Sequence, residues 1–104
     1  MAKSKSVTDT LNNYLQDPEE ASAYLDAILE TGDNSALLVA LRDVVDARGG
    51  VSELAAEKGL SRETLYRTLA EGGNPTLDTL SKVLEFAGLR VSVLPVQEEQ
   101  AKAS

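Results

Sequence analysis

Cysteine, histidine and tryptophan are all absent from this 104-residue chain. Without cysteine there is no disulfide and no thiolate chemistry. Without histidine the usual metal ligand and the usual general base at neutral pH are gone. No convergent polar motif takes their place, so the expectation is a protein that is not an enzyme and needs no metal or cofactor. Aromatic residues are scarce, with three Tyr and one Phe. No apolar run approaches the ~20 residues that span a bilayer. Nothing near Met1 has the apolar core of a signal peptide. The expected location is therefore the cytoplasm, with no membrane partner.

Positive charge is also in short supply. The formal net charge is −7, whereas most nucleic-acid-binding domains are basic. The deficit is uneven. Residues 1–50 hold four cations (Lys3, Lys5, Arg42, Arg48) against nine acids; residues 51–95 hold five (Lys58, Arg62, Arg67, Lys82, Arg90) against six. The second half is nearly neutral, so any anion binding must depend on local placement.

What is abundant is Leu and Ala at helical spacing, which points to a mainly helical chain. Residues 1–16 read as an arm or one short helix, with Leu11, Tyr14 and Leu15 on one side. Asp17 can cap a helix, Pro18 suits its first turn, and Glu19 and Glu20 complement its dipole. Ala21, Tyr24, Leu25, Ile28 and Leu29 give that helix an apolar stripe. Gly32 ends it, and Asp33 or Asn34 starts the next, with Leu37, Leu38, Leu41, Val44 and Val45 inward. Arg48-Gly49-Gly50 closes this second helix. Ser52 is expected to cap a short helix through Lys58, Gly59 to break it, and Ser61 to cap another running to about Ala70. A loop follows through Pro75. Thr76 then caps a helix to Ala87, with Leu77, Leu80, Val83, Leu84 and Ala87 inward, and Gly88 ends it. Leu89 to Leu94 alternates as a short strand. Gln97 onward, and more broadly residues 95–104, read as a disordered tail.

Val51 to Ala70 carries the most information. Two short helices meet at a tight turn. Ala55 is small where the second helix must cross, Gly59 can adopt the left-handed conformation of the turn, and Leu54, Leu60, Leu65 and Leu69 face inward. Such a pair holds its second helix proud of the surface, where it fits a major groove. The expected fold is an all-α, compact five-helix helix-turn-helix domain over residues 17–94, with a short C-terminal β-strand.

The segment resembles the helix-turn-helix of the phage-repressor (Xre/Cro-like, lambda-repressor-like) family. A wider likeness runs through Asp17-Pro18-Glu19-Glu20, Tyr24-Leu25, Arg48-Gly49, Gly59-Leu60-Ser61-Arg62-Glu63-Thr64-Leu65-Tyr66-Arg67, Gly73-Asn74-Pro75-Thr76 and Gly88-Leu89. It covers roughly residues 10–94 and is similar to the HigA-like putative addiction-module antidotes. Lys58 departs from the repressor pattern, which often has an apolar residue before the turn glycine. The resemblance implies an antitoxin that neutralises a small RelE/ParE-like toxin and represses its own operon.

The candidate DNA-binding residues are Ser61, Arg62, Glu63, Thr64, Tyr66, Arg67 and Thr76. Arg62 and Arg67 share a broad helical face with Ser61 and Tyr66, and Arg is the residue best matched to guanine. Glu63 either supports the helix N-terminus or accepts from a cytosine amino group. Tyr66 either meets a phosphate or thymine methyl, or packs on the core. Thr76 caps its helix and can offer the free N–H groups there to a phosphate. Glu19-Glu20 and Glu98-Glu99 are adjacent carboxylates; neighbours on a helix do not face each other, which fits solvated acids rather than acid–base chemistry. The expected partners are operator DNA, the toxin and a second copy of the chain, since two recognition helices ~34 Å apart match a palindrome. Two other functions remain open: a stand-alone repressor, and a protein-interaction module that does not bind DNA.

Overall fold

In the computed structural model, which describes residues 7–96 and their side chains from Thr10 onward, the chain is a stack of helices. They are α1 (Val7–Leu15), α2 (Pro18–Leu29), α3 (Asn34–Ala47), α4 (Val51–Lys58), α5 (Arg62–Thr68) and α6 (Leu77–Phe86). The arm expected at residues 1–6 and most of the tail expected at residues 95–104 lie outside the described residues.

Helix starts follow the polar residues of the sequence. The Asp17 carboxylate accepts from the Glu19 N–H at 3.0 Å, with Pro18 as the first helical residue. Asp33 accepts from Ala36 N–H, Ser61 from Thr64 N–H and Thr76 from Thr79 N–H, at 3.1, 3.2 and 3.1 Å. Each satisfies an N–H that the helix itself cannot. The expected cap at Ser52 is different. α4 begins earlier, capped at Gly50 without any side-chain bond. Val51 is 3 % exposed, so burial of its side chain draws it into the first turn and leaves Ser52 inside the helix.

α1, α2 and α3 pack on one another, and α4 packs on α5 and α6; α3 joins the two groups through its contacts with α4 and α6. One core runs through both groups, from Leu15, Leu25, Leu41 and Val45 to Leu54, Leu65, Leu69 and Val83. The short first helix belongs to it, because Leu15 is fully buried. Tyr24 donates to Asp43 at 2.9 Å between α2 and α3. Arg48 at the end of α3 donates to the Gln16 carbonyl at 3.0 Å, fixing the α1–α2 connection. Lys58, the residue that departs from the repressor pattern, pairs with Glu85 across α4 and α6 at 3.4 Å.

Three expectations fail at the edges of this core. Leu29 and Leu77 are exposed although their spacing placed them inward. Leu77 is in phase with Leu80 and Leu84 but occupies the first turn of α6, beyond the end of the core. Phe86, not assigned to the core from sequence, is buried there. The C-terminal strand is also absent: among the described residues there is none, and 89–96 runs without regular structure. Leu89 closes α6 instead, its N–H bonding the Leu84 carbonyl at 2.8 Å while Gly88 N–H bonds Glu85 at 2.9 Å, a paired C-terminal cap. Alternation alone does not make a strand; it needs a neighbouring strand to accept its ladder.

Candidate nucleic-acid interface

The surface of interest is built on α4 and α5. Gly59 adopts the left-handed conformation at φ 68°, and the Leu60 N–H then returns to the Ala55 carbonyl at 2.9 Å. A residue with a Cβ would be strained there. The turn reverses the chain within three residues, and Ser61 caps α5. Leu65, fully buried, and Leu69, 2 % exposed, pin α5 to the core. Burying two leucines stabilises this seat by roughly 1.5–3 kcal/mol each.

With Leu65 and Leu69 fixed inward, the outward arc is set by the helical pitch of 100° per residue. Glu63 and Arg67 lie opposite Leu65 and Tyr66 lies at the side, while Arg62, in the turn before Leu65, is exposed as the first residue of the helix; all four are exposed, and so is Ser61. Thr64 is half-buried, on the flank of the arc. Tyr66 is 45 % exposed, so it does not pack into the core. Glu63 lies in the first turn of α5, where a carboxylate complements the helix dipole.

Arg62 does not hang free. Its Nη1 donates to Ser52 Oγ at 3.3 Å, so the serine that was expected to cap α4 instead braces the first cation of α5. Tyr66 is also held, because the Arg42 guanidinium of α3 lies over its ring, 5.0 Å from the centroid. Arg42 was missed from sequence. It lies 24 positions before Tyr66 on another helix, and no spacing rule connects them.

Thr64, Arg67 and Thr76 come together on a second feature, an open cleft of about 700 Å³ between α5 and the start of α6, also lined by Thr68, Gly73 and Asn74. The Thr68 Oγ1 is buried there with no hydrogen-bond partner among the described residues. Thr76 is exposed at the start of α6. Arg62 and Tyr66 do not line this cleft. The expected residues thus divide into an outward face (Ser61, Arg62, Glu63, Tyr66, Arg67) and a cleft (Thr64, Arg67, Thr76), with Arg67 common to both. The arrangement offers guanidinium and hydroxyl donors to an anionic or acceptor-rich ligand.

An all-helical domain that displays a short capped helix bearing two arginines is the class of protein this geometry defines. Residues 6–95 match the family model described as probable addiction module antidote protein, and the chain belongs to that family. The antidote family makes the chain an antitoxin candidate of an addiction module with a toxin as its counterpart. The chain is also 39 % identical over 80 residues to an uncharacterized protein of Haemophilus influenzae, covering 77 % of this chain and 81 % of the relative. No solved structure matches it. No helix among the described residues is long and apolar enough to cross a membrane.

Proposed function

We propose that this protein is a HigA-like antitoxin of a type II toxin–antitoxin module. It neutralises a small RelE/ParE-like toxin in the cytoplasm and represses its own operon by binding operator DNA. α4 and α5 act as a helix-turn-helix of the phage-repressor kind, with α5 in the major groove. The observation that carries the DNA half is the outward set of Arg62, Tyr66 and Arg67 over a buried Leu65. Arg62 and Arg67 read base edges or phosphates, and Tyr66 meets a phosphate or a thymine methyl. Ser61 and Glu63 begin the helix at the DNA. Thr64, Arg67 and Thr76 take a backbone phosphate at the cleft, where the α6 N-terminus favours an anion. The toxin half is supported by membership of the antidote family.

The working unit is a homodimer, matching two half-sites. Val91, Val93, Leu94 and Val96 are all exposed beyond α6 and offer apolar surface to the second copy. The test is to purify the protein from its native operon and titrate it against the upstream promoter at several salt concentrations. Co-purification of a small basic protein and a salt-dependent promoter shift support the reading. Absence of both overturns it.

The net charge of −7 favours a second reading, a protein-interaction module without DNA binding. Toxin capture with no promoter shift at any salt concentration selects that reading.

A further inference from the structure

The geometry points to Arg42, on α3, as the positioning residue for Tyr66, holding the ring in place for sequence selection. The inference rests on the reading of α5 as a DNA-contacting helix.

α5 has only seven residues and lies directly against α4. α3 has fourteen, carries six buried residues and touches α1, α2, α4 and α6. The stack of Arg42 on Tyr66 therefore braces the outer face of a short helix against the most firmly embedded one. Arg42 is itself oriented, since its Nε donates to Asp46 Oδ1 one turn along α3 at 3.2 Å. The planar guanidinium can bond a carboxylate through its edge while its face covers a ring. A ring held this way need not be ordered when a ligand arrives, which removes part of the cost of binding. One face of Arg42 lies on the ring and its Nε is held by Asp46, so its contribution is assigned to Tyr66, and the salt dependence of binding separates this from a phosphate contact through the remaining N–H groups.

The experiment is a double-mutant cycle read on operator DNA, with wild type, Arg42→Gln, Tyr66→Leu and the double variant titrated across a salt series. Thermal melts of each establish equal folding. Arg42→Gln is expected to weaken operator binding about two- to fivefold, the equivalent of one exposed cation–π contact. The slope of log affinity against log salt stays at the wild-type value. In the Tyr66→Leu background Arg42→Gln has no further effect. Arg42→Lys recovers part of the loss, since an ammonium can still sit over the ring.

The inference is overturned if Arg42→Gln costs as much without the ring as with it and the salt slope falls by about 0.9, the signature of one lost phosphate contact. It is overturned equally if Arg42→Gln leaves the affinity unchanged. Arg67→Ala separates this failure from that of the parent reading. If wild type binds, Arg67→Ala loses binding and Arg42→Gln does not, only the positioning role falls. If wild type does not bind the operator, both fall together.

Discussion

The Tyr24 hydroxyl donates to Asp43 Oδ2 across 2.9 Å, tying the middle of α2 to α3. Partial burial, then the bond to Asp43 and its negative charge, push the phenol up to about 12 from its usual 10. The folded value lies above the unfolded one, so the neutral phenol stabilises the fold fully below pH 10. That contribution is lost as pH rises from about 10 to 12, because the unfolded chain ionises first. Denaturation midpoints followed from pH 8 to 12 should fall more steeply for wild type than for Tyr24→Phe. At pH 7 the variant should be less stable by ~1 kcal/mol, the worth of one hydrogen bond. Parallel pH profiles would show that Tyr24 ionises alike in both states.

Leu65 is the inward anchor of α5. Leu65→Ala should destabilise by ~2–5 kcal/mol through the cavity left under the helix. A urea melt measures it. A negligible loss would place Leu65 at the surface and reverse the face on which Arg62 and Tyr66 lie.

Gly73 sits where the loop from α5 approaches its own helix, and a Cβ there would overlap the Thr68 carbonyl. The obstacle is backbone, so it cannot swing aside. Gly73→Ala should cost ~1–3 kcal/mol, the usual range for overpacking. The same change should move Thr76 relative to Arg67. Thermal melting reads the first effect, and an unchanged melting temperature would mean that the loop yields freely.

Replacing Arg62 and Arg67 together by Ala should abolish detectable operator binding with the helical circular dichroism intact. Each specific contact is worth ~1–3 kcal/mol. Arg62→Ala should also release Ser52, so Ser52→Ala is expected to produce a small loss of affinity in the same direction. Gel-shift titration decides it; wild-type affinity in the double variant would remove α5 from the interface.

The toxin is expected to approach the acidic first half of the chain. Glu19, Asp26 and Glu30 are exposed on or beside α2, and Tyr14 is 48 % exposed nearby in sequence. Neutralising the three acids to Gln or Asn should slow toxin association by up to about tenfold at low salt, with little effect at high salt. Operator affinity should not fall. Association kinetics measured at two ionic strengths check this, and an unaltered rate at low salt would send the toxin to another face. Removing residues 1–16 would not test this docking cleanly, because it also takes the buried Leu15 out of the core.

Much of this protein follows from local chemistry. Asp17, Asp33, Ser61 and Thr76 start helices because each supplies an acceptor to N–H groups that have no partner within their own helix. Gly59 turns the chain because it alone tolerates the required backbone. The outward position of Glu63 and Arg67 follows from the 3.6-residue period once Leu65 and Leu69 are recognised as apolar. These effects act over a few residues, so they are written in the order of the letters. Other features depended on residues far apart in the chain. Only the folded packing buried Leu15 and Phe86, left Leu29 and Leu77 beyond the edge of the core, and left Leu89 to Val96 with no strand to pair with among the described residues. Only the packing of α3 and α5 on α4 brought Arg42 over Tyr66, and only the contact of α4 with α5 gave Ser52 to Arg62 instead of to its own helix. Periodicity tells which face of an element is apolar; how far the neighbouring elements extend to cover that face is decided by the tertiary arrangement.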